Sequence, residues 1–83
     1  MKTEFITFRS VTPAQRGQRV LQKAGVDVIL QRTPRWMEER GCGYCLRLRP
    51  GDLLRAVELL RRENIAFSKV YATIGGSLEE RML

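Results

Sequence analysis

Arg19-Val20-Leu21-Gln22-Lys23-Ala24-Gly25-Val26 and Glu58-Leu59-Leu60-Arg61-Arg62-Glu63-Asn64-Ile65 follow the same local pattern. Each carries apolar residues at helical spacing, then glycine or asparagine, then a β-branched residue that opens a strand. Ahead of the first stretch, Thr12-Pro13 reads as an N-cap followed by proline at the first helical position. That helix is expected to run to about Ala24, with Ala14, Gly17, Val20, Leu21 and Ala24 on one face. Ahead of the second, Pro50-Gly51-Asp52 starts a helix with the stripe Leu53, Val57 and Leu60, widened by Leu54 and Leu59.

Strands complete the two halves. Glu4 to Arg9 (EFITFR) is aromatic and β-branched. Val26 to Arg32 (VDVILQR) presents Val26, Val28 and Leu30 inward. Gly43 to Arg49 (GYCLRLR) alternates, with Tyr44, Leu46 and Leu48 on one side and Cys45, Arg47 and Arg49 on the other. Ile65 to Ala72 (IAFSKVYA) is the fourth strand. The order β-α-β-β-α-β predicts an α+β, ferredoxin-like split sandwich. Its four-stranded antiparallel sheet would carry both helices on one face and leave the other open to a partner. Residues 1–72 form the single domain, and 73–83, containing Gly75-Gly76, form a tail that is flexible or docks on a partner.

At 83 residues and 9.6 kDa the chain closes one modest core and no deep cleft, which excludes a large multi-step enzyme. Hydrophobic residues at 43% and charged residues at 29% describe a folded domain rather than a disordered one. No apolar run approaches a membrane span, and Met1-Lys2-Thr3-Glu4 leads into a strand without a signal-peptide core. A cytoplasmic location without membrane attachment is the expectation.

The net charge is +6, and 12 of the 15 basic residues are arginine. Such a balance suggests nucleic acid first, because phosphate contacts release counterions. Along the chain, however, the cations are scattered from Arg9 to Arg62 and interleaved with Asp27, Glu38, Glu39, Asp52, Glu58 and Glu63. That pattern reads more simply as a solvated basic surface. Phe5, Phe8 and Tyr44 raise the question of base stacking on the first and third strands. No RNA-recognition strand signature accompanies them, and Phe8 is expected beneath the helices.

The two cysteines, Cys42 and Cys45, sit together in Gly41-Cys42-Gly43-Tyr44-Cys45. A secreted disulfide scaffold needs more cysteines, spread along the chain. The chain has no histidine, so a Cys-His nucleophile is excluded. Thioredoxin-type exchange places C-x-x-C at a helix N-terminus, whereas here it leads into a strand. Two cysteines supply half a tetrahedral zinc site. No metal and no cofactor are expected. Flanking Gly41 and Gly43 unshield Cys42, and backbone amides with Arg40 and Arg47 would favour its thiolate. Arg35 is a further candidate anion contact. Cys45, on the opposite strand face from Leu46 and Leu48, would be exposed or meet a dimer mate. The bland alternative makes both cysteines small apolar fillers. Trp36 reads as a loop anchor or a partner contact.

Ile6-Thr7-Phe8-Arg9-Ser10, Ala24-Gly25-Val26, Thr33-Pro34-Arg35, Cys42-Gly43, Arg49-Pro50-Gly51-Asp52-Leu53 and Asn64-Ile65 occur in one order over residues 4–72. In these the chain resembles the selenium/sulfur carrier-like proteins. The resemblance implies a compact bacterial or archaeal protein with Cys42-Gly43 as reactive site and a role in carrying sulfur or selenium. Cys45 stands outside that Cys-Gly pattern.

The leading expectation is a carrier or adaptor that accepts sulfane sulfur on Cys42 from a donor protein such as a cysteine desulfurase. It would not be a stand-alone catalyst. Cys45 would serve as a resolving thiol. A thiol–disulfide module using both cysteines and a basic module binding nucleic acid or protein through the sheet are the alternatives. The exposed sheet face and Met82-Leu83 also suggest a homodimer.

Overall fold

Two helix ends built alike organise the fold. A computed structural model of the chain describes residues 3–33, 43–74 and 77–80. Helix α1 (Val11–Lys23) closes with Gly25 at φ 81, Gly25 N–H donating to Gln22 O and Val26 N–H to Leu21 O at 2.9 Å. Helix α2 (Leu53–Arg62) closes with Asn64 at φ 56, Asn64 N–H donating to Arg61 O and Ile65 N–H to Leu60 O at 2.9 Å. Both are Schellman caps, in which a left-handed residue lets the chain reverse while satisfying the last carbonyls. Val26 and Ile65 follow them into the core, both buried.

The strands are β1 (Thr3–Phe8), β2 (Val28–Arg32), β3 (Tyr44–Leu48), β4 (Val70–Ile74) and β5 (Ser77–Glu80). They form one sheet in the order β2-β3-β1-β4-β5, with every neighbouring pair antiparallel. β1 and β2 flank β3, and β3 and β4 flank β1, so each β-α-β crossover straddles a strand of the other half.

The expectation of four strands is overturned by β5, which pairs with β4 through Tyr71↔Glu80 and Ile74↔Ser77. Once β4 has paired with β1, its other edge carries unmatched backbone groups, and the returning chain satisfies them. Part of the expected 73–83 tail is therefore sheet. Two strands also start later than expected: β2 at Val28 rather than Val26, and β4 at Val70 rather than Ile65. Thr7 holds the approach to β4 instead. Its N–H donates to Lys69 O at 2.8 Å, and its carbonyl accepts from Ser68 N–H at 2.7 Å. Its hydroxyl also accepts from Lys69 N–H at 3.0 Å.

The helix starts depart as well. α1 begins at Val11 behind an extended Ser10, so Pro13 occupies the third helical position and Thr12 is not the cap. Proline is tolerated there because first-turn amides have no intrahelical acceptor to lose. In α2 the buried face is Leu53, Ala56, Val57 and Leu60, whereas Leu54 is 58% exposed. One residue is 100° of helix, enough to carry Leu54 off the stripe that Ala56 joins. Before α2, Gly51 at φ 94 turns the chain, and its N–H donates to the buried Glu4 carboxylate at 2.8 Å.

The main core lies between helices and sheet and includes Ile6, Phe8, Leu21, Leu46, Val57 and Leu60. Gly17 marks where α1 meets it. A Cβ on Gly17 would stand 3.1 Å from Leu60 Cδ2 and 3.3 Å from both Leu46 Cδ1 and Phe8 Cζ. A Cβ here would press these three side-chain tips back by a few tenths of an ångström, and a larger side chain has no room. Gly17→Leu is expected to destabilise the fold by at least about 1–3 kcal/mol in urea unfolding, as overpacked cores do. Gln15→Leu, at an exposed position of the same helix, should leave the midpoint nearly unchanged.

Candidate functional site: the start of the third strand

Cys42, Gly41, Arg40, Arg35 and Trp36 lie outside the described residues. The frame on which this segment is mounted is described. Arg32 of β2 and Phe8 of β1 both stand opposite Tyr44, the first residue of β3. One residue outward, Thr33 N–H donates to Gly43 O at 3.1 Å. The nine residues 34–42 therefore leave and re-enter the sheet at adjacent positions on β2 and β3. Gly43, next to Cys42 in sequence, is a fixed point of the hydrogen-bonded scaffold.

Antiparallel pairing of β1 with β3 brings a second set of groups to this end. Arg9 follows Phe8, and Arg32 ends β2 with its side chain exposed. Just beyond Arg9 lies the N-terminus of α1, where Ser10 makes no side-chain cap hydrogen bond and no acid occupies the first turn. A helix N-terminus with free amides carries partial positive charge. Arg9 and Arg32 were not singled out in the sequence, because their proximity to Gly43 is visible only once the strand register is known. Thr33 is buried here, and its hydroxyl has no hydrogen-bond partner among the described residues.

Arg47 sits elsewhere. It is exposed near the far end of β3, about 13 Å along the strand from Gly43 at 3.3 Å per residue. There it lines a cleft with Ile29, Gln22 and the Asp27–Arg49 ion pair, whose N···O distance is 2.9 Å. The described structure does not bring Arg47 to Gly43.

Cys45 faces away from the helices, as strand alternation requires, but it is 0% exposed. With Phe5 and the partly buried Tyr71 it forms a second, smaller apolar cluster on that face. The face expected to lie open is thus closed at its centre, where Thr7 is buried as well. Phe8 and Tyr44 belong to the helix-side core. The described residues of β1 and β3 consequently offer no exposed aromatic platform for stacking bases.

Among the described residues, no group of three or more Cys, Asp or Glu side chains is placed to hold a metal ion. Nor is any described helix long and apolar enough to cross a membrane. Residues 4–72 match the model of a family described as putative Se/S carrier protein-like. The chain belongs to that family. The match takes in both Schellman caps, β1 to β3 and the Cys42-Gly43 pair, and it ends inside β4 before β5 begins. Neither the curated proteins nor the solved structures contain a match to the chain.

Proposed function

We propose that the protein is a sulfur or selenium carrier that accepts a sulfane atom on Cys42 and passes it on. Family membership across residues 4–72 carries this reading. Three features support it: Gly43 anchored at the start of β3, the cationic residues Arg9 and Arg32 at the same sheet end, and the uncapped N-terminus of α1. In the transfer step the Cys42 thiolate attacks the terminal sulfur of a donor persulfide. A new S–S bond forms on Cys42, the donor's S–S bond breaks, and the donor leaves as a thiolate with that electron pair. The donor would be a cysteine desulfurase or another persulfide-bearing protein. The scaffold that presents Cys42 would be a ferredoxin-like unit extended by β5.

Burial of Cys45 favours the single-cysteine form of this chemistry over a C-x-x-C redox couple. Arg40, Arg35, Gly41 and Gly43 remain the neighbours proposed to expose Cys42 and hold its charge. After incubation with a cysteine desulfurase and cysteine, intact mass should show one added sulfur on the wild type and on Cys45→Ala, and none on Cys42→Ser. No addition to the wild type, or equal addition to Cys42→Ser, would remove the proposal.

A further inference from the structure

The cations that look scattered along the chain are segregated in three dimensions. Helices α1 and α2 carry Arg16, Arg19, Lys23, Arg55, Arg61 and Arg62 against one carboxylate, Glu58. With its cap residues Asp52 and Glu63 counted, α2 is neutral, and the layer's net charge of +3 lies on α1. The strands carry Arg32 and Arg47 against Glu4, Glu79 and Glu80, a net of −1. The helical layer is basic along α1, and the sheet is close to neutral.

On α1 there is no acid at all. Arg16, Arg19 and Lys23 recur at helical spacing, are all exposed, and line one shallow groove with Val20. None of the three has an ion-pair or hydrogen-bond partner among the described residues. Opposite them Arg55 reaches across from α2, its Nη2 donating to Ala24 O at 2.6 Å at the C-terminal end of α1. Arg62, seven residues on from Arg55, continues the same exposed side of α2. Contact of Gly17 with Leu60, and of Ala24 with Arg55, makes the two helices run antiparallel. The result is two rows of cations on a broad surface, separated by the helix spacing of about 8–10 Å.

We propose that this helical surface binds the phosphate backbone of duplex RNA. The rows contain no aromatic side chain, so the base-stacking that single strands require is missing. Two helices side by side are too broad to enter the major groove of B-form DNA, at about 12 Å, and its minor groove, at about 6 Å, is narrower than the rows. The wide, shallow minor groove of A-form RNA presents phosphates on both rims to a flat surface. This surface is independent of Cys42, and its test does not depend on sulfur loading.

The probe is a fluorescein-labelled RNA duplex of about 16 base pairs, titrated by anisotropy at several salt concentrations. Roughly four phosphate contacts should give a slope of log K against log salt of about −3 to −4. The triple variant Arg16→Gln/Arg19→Gln/Lys23→Gln should lose at least about tenfold in affinity at low salt and bring the slope towards −1. Lys69→Gln should bind like the wild type, since the Lys69 ammonium pairs with Glu80 at 3.6 Å, away from the helices. The substituted residues are exposed, so circular dichroism and thermal midpoint should not move. The proposal fails if the triple variant binds as tightly as the wild type. It also fails if a DNA duplex of the same sequence, polyglutamate or phosphatidylserine vesicles compete as well as the RNA.

Discussion

Iodoacetamide is expected to modify the native chain once and the urea-unfolded chain twice. Cys45, at 0% exposure beside Phe5 on the sheet, should react only when the structure around it opens. A domain of this size is stable by roughly 4–12 kcal/mol. Opening that involves β3 should approach that figure, because β3 is an interior strand paired on both sides. Labelling of Cys45 should therefore be at least about a thousandfold slower in buffer than in denaturant. Peptide mapping should put the single native adduct on Cys42. An adduct on Cys45 under native conditions would contradict its burial. No native adduct on Cys42 would remove the carrier proposal, since a donor persulfide is far larger than iodoacetamide. Counting adducts thus separates the two cysteines of one short motif by the step at which each meets solvent.

Local rules carried much of the fold. Gly25 and Asn64 both stand where a left-handed residue must follow a helix, and the buried Val26 and Ile65 complete the same turn in each half. Alternation along Tyr44–Leu48 correctly placed Leu46 and Leu48 against the helices and Cys45 away from them. What local rules missed depends on neighbours. β5 has little strand character in Ser77-Leu78-Glu79-Glu80, and it exists as a strand because β4 offers it an edge. The cue was present in Gly75-Gly76, the two residues between the paired Ile74 and Ser77, a composition suited to a two-residue hairpin connection. Leucine chemistry alone puts Leu54 in the apolar stripe, yet helical geometry turns it outward and buries the smaller Ala56 instead.

The candidate site was legible in kind but not in membership. Cys42-Gly43 stands out in the sequence because glycine flanks a rare nucleophile in a chain without histidine. Arg47 also stood out, being near in sequence, yet an extended strand carries it about 13 Å from Gly43. Arg9 and Arg32 are far in sequence and at one end of the sheet, since Arg32 stands opposite Tyr44 and Arg9 follows Phe8, which does too. The basic helical layer escaped notice for a related reason. Its cations come from two helices separated by two strands, and no acid interrupts those of α1.

Phe8→Ala should be the most damaging single truncation among the described residues. Phe8 is the largest of the fully buried side chains among the described residues and ends β1, a strand paired with both β3 and β4. Its ring tip lies 3.3 Å from where a Cβ on Gly17 would be, which puts it against the closest point of α1. Removing a buried phenyl group costs about 3–5 kcal/mol, because the cavity collapses only in part. Set against roughly 4–12 kcal/mol of total stability, the variant should unfold at far lower urea and fail to survive moderate heating. Phe8→Leu should recover much of the loss. Coupling to Gly17 then tests the geometry. Gly17→Ala gains about 1 kcal/mol of helix propensity but crowds Phe8, Leu46 and Leu60. In a Phe8→Leu background that crowding is relieved on one side, so the alanine should become more favourable by more than the ~0.5 kcal/mol scatter of independent sites. Strict additivity in this cycle would mean that α1 stands further from the sheet than the Gly17 contacts require.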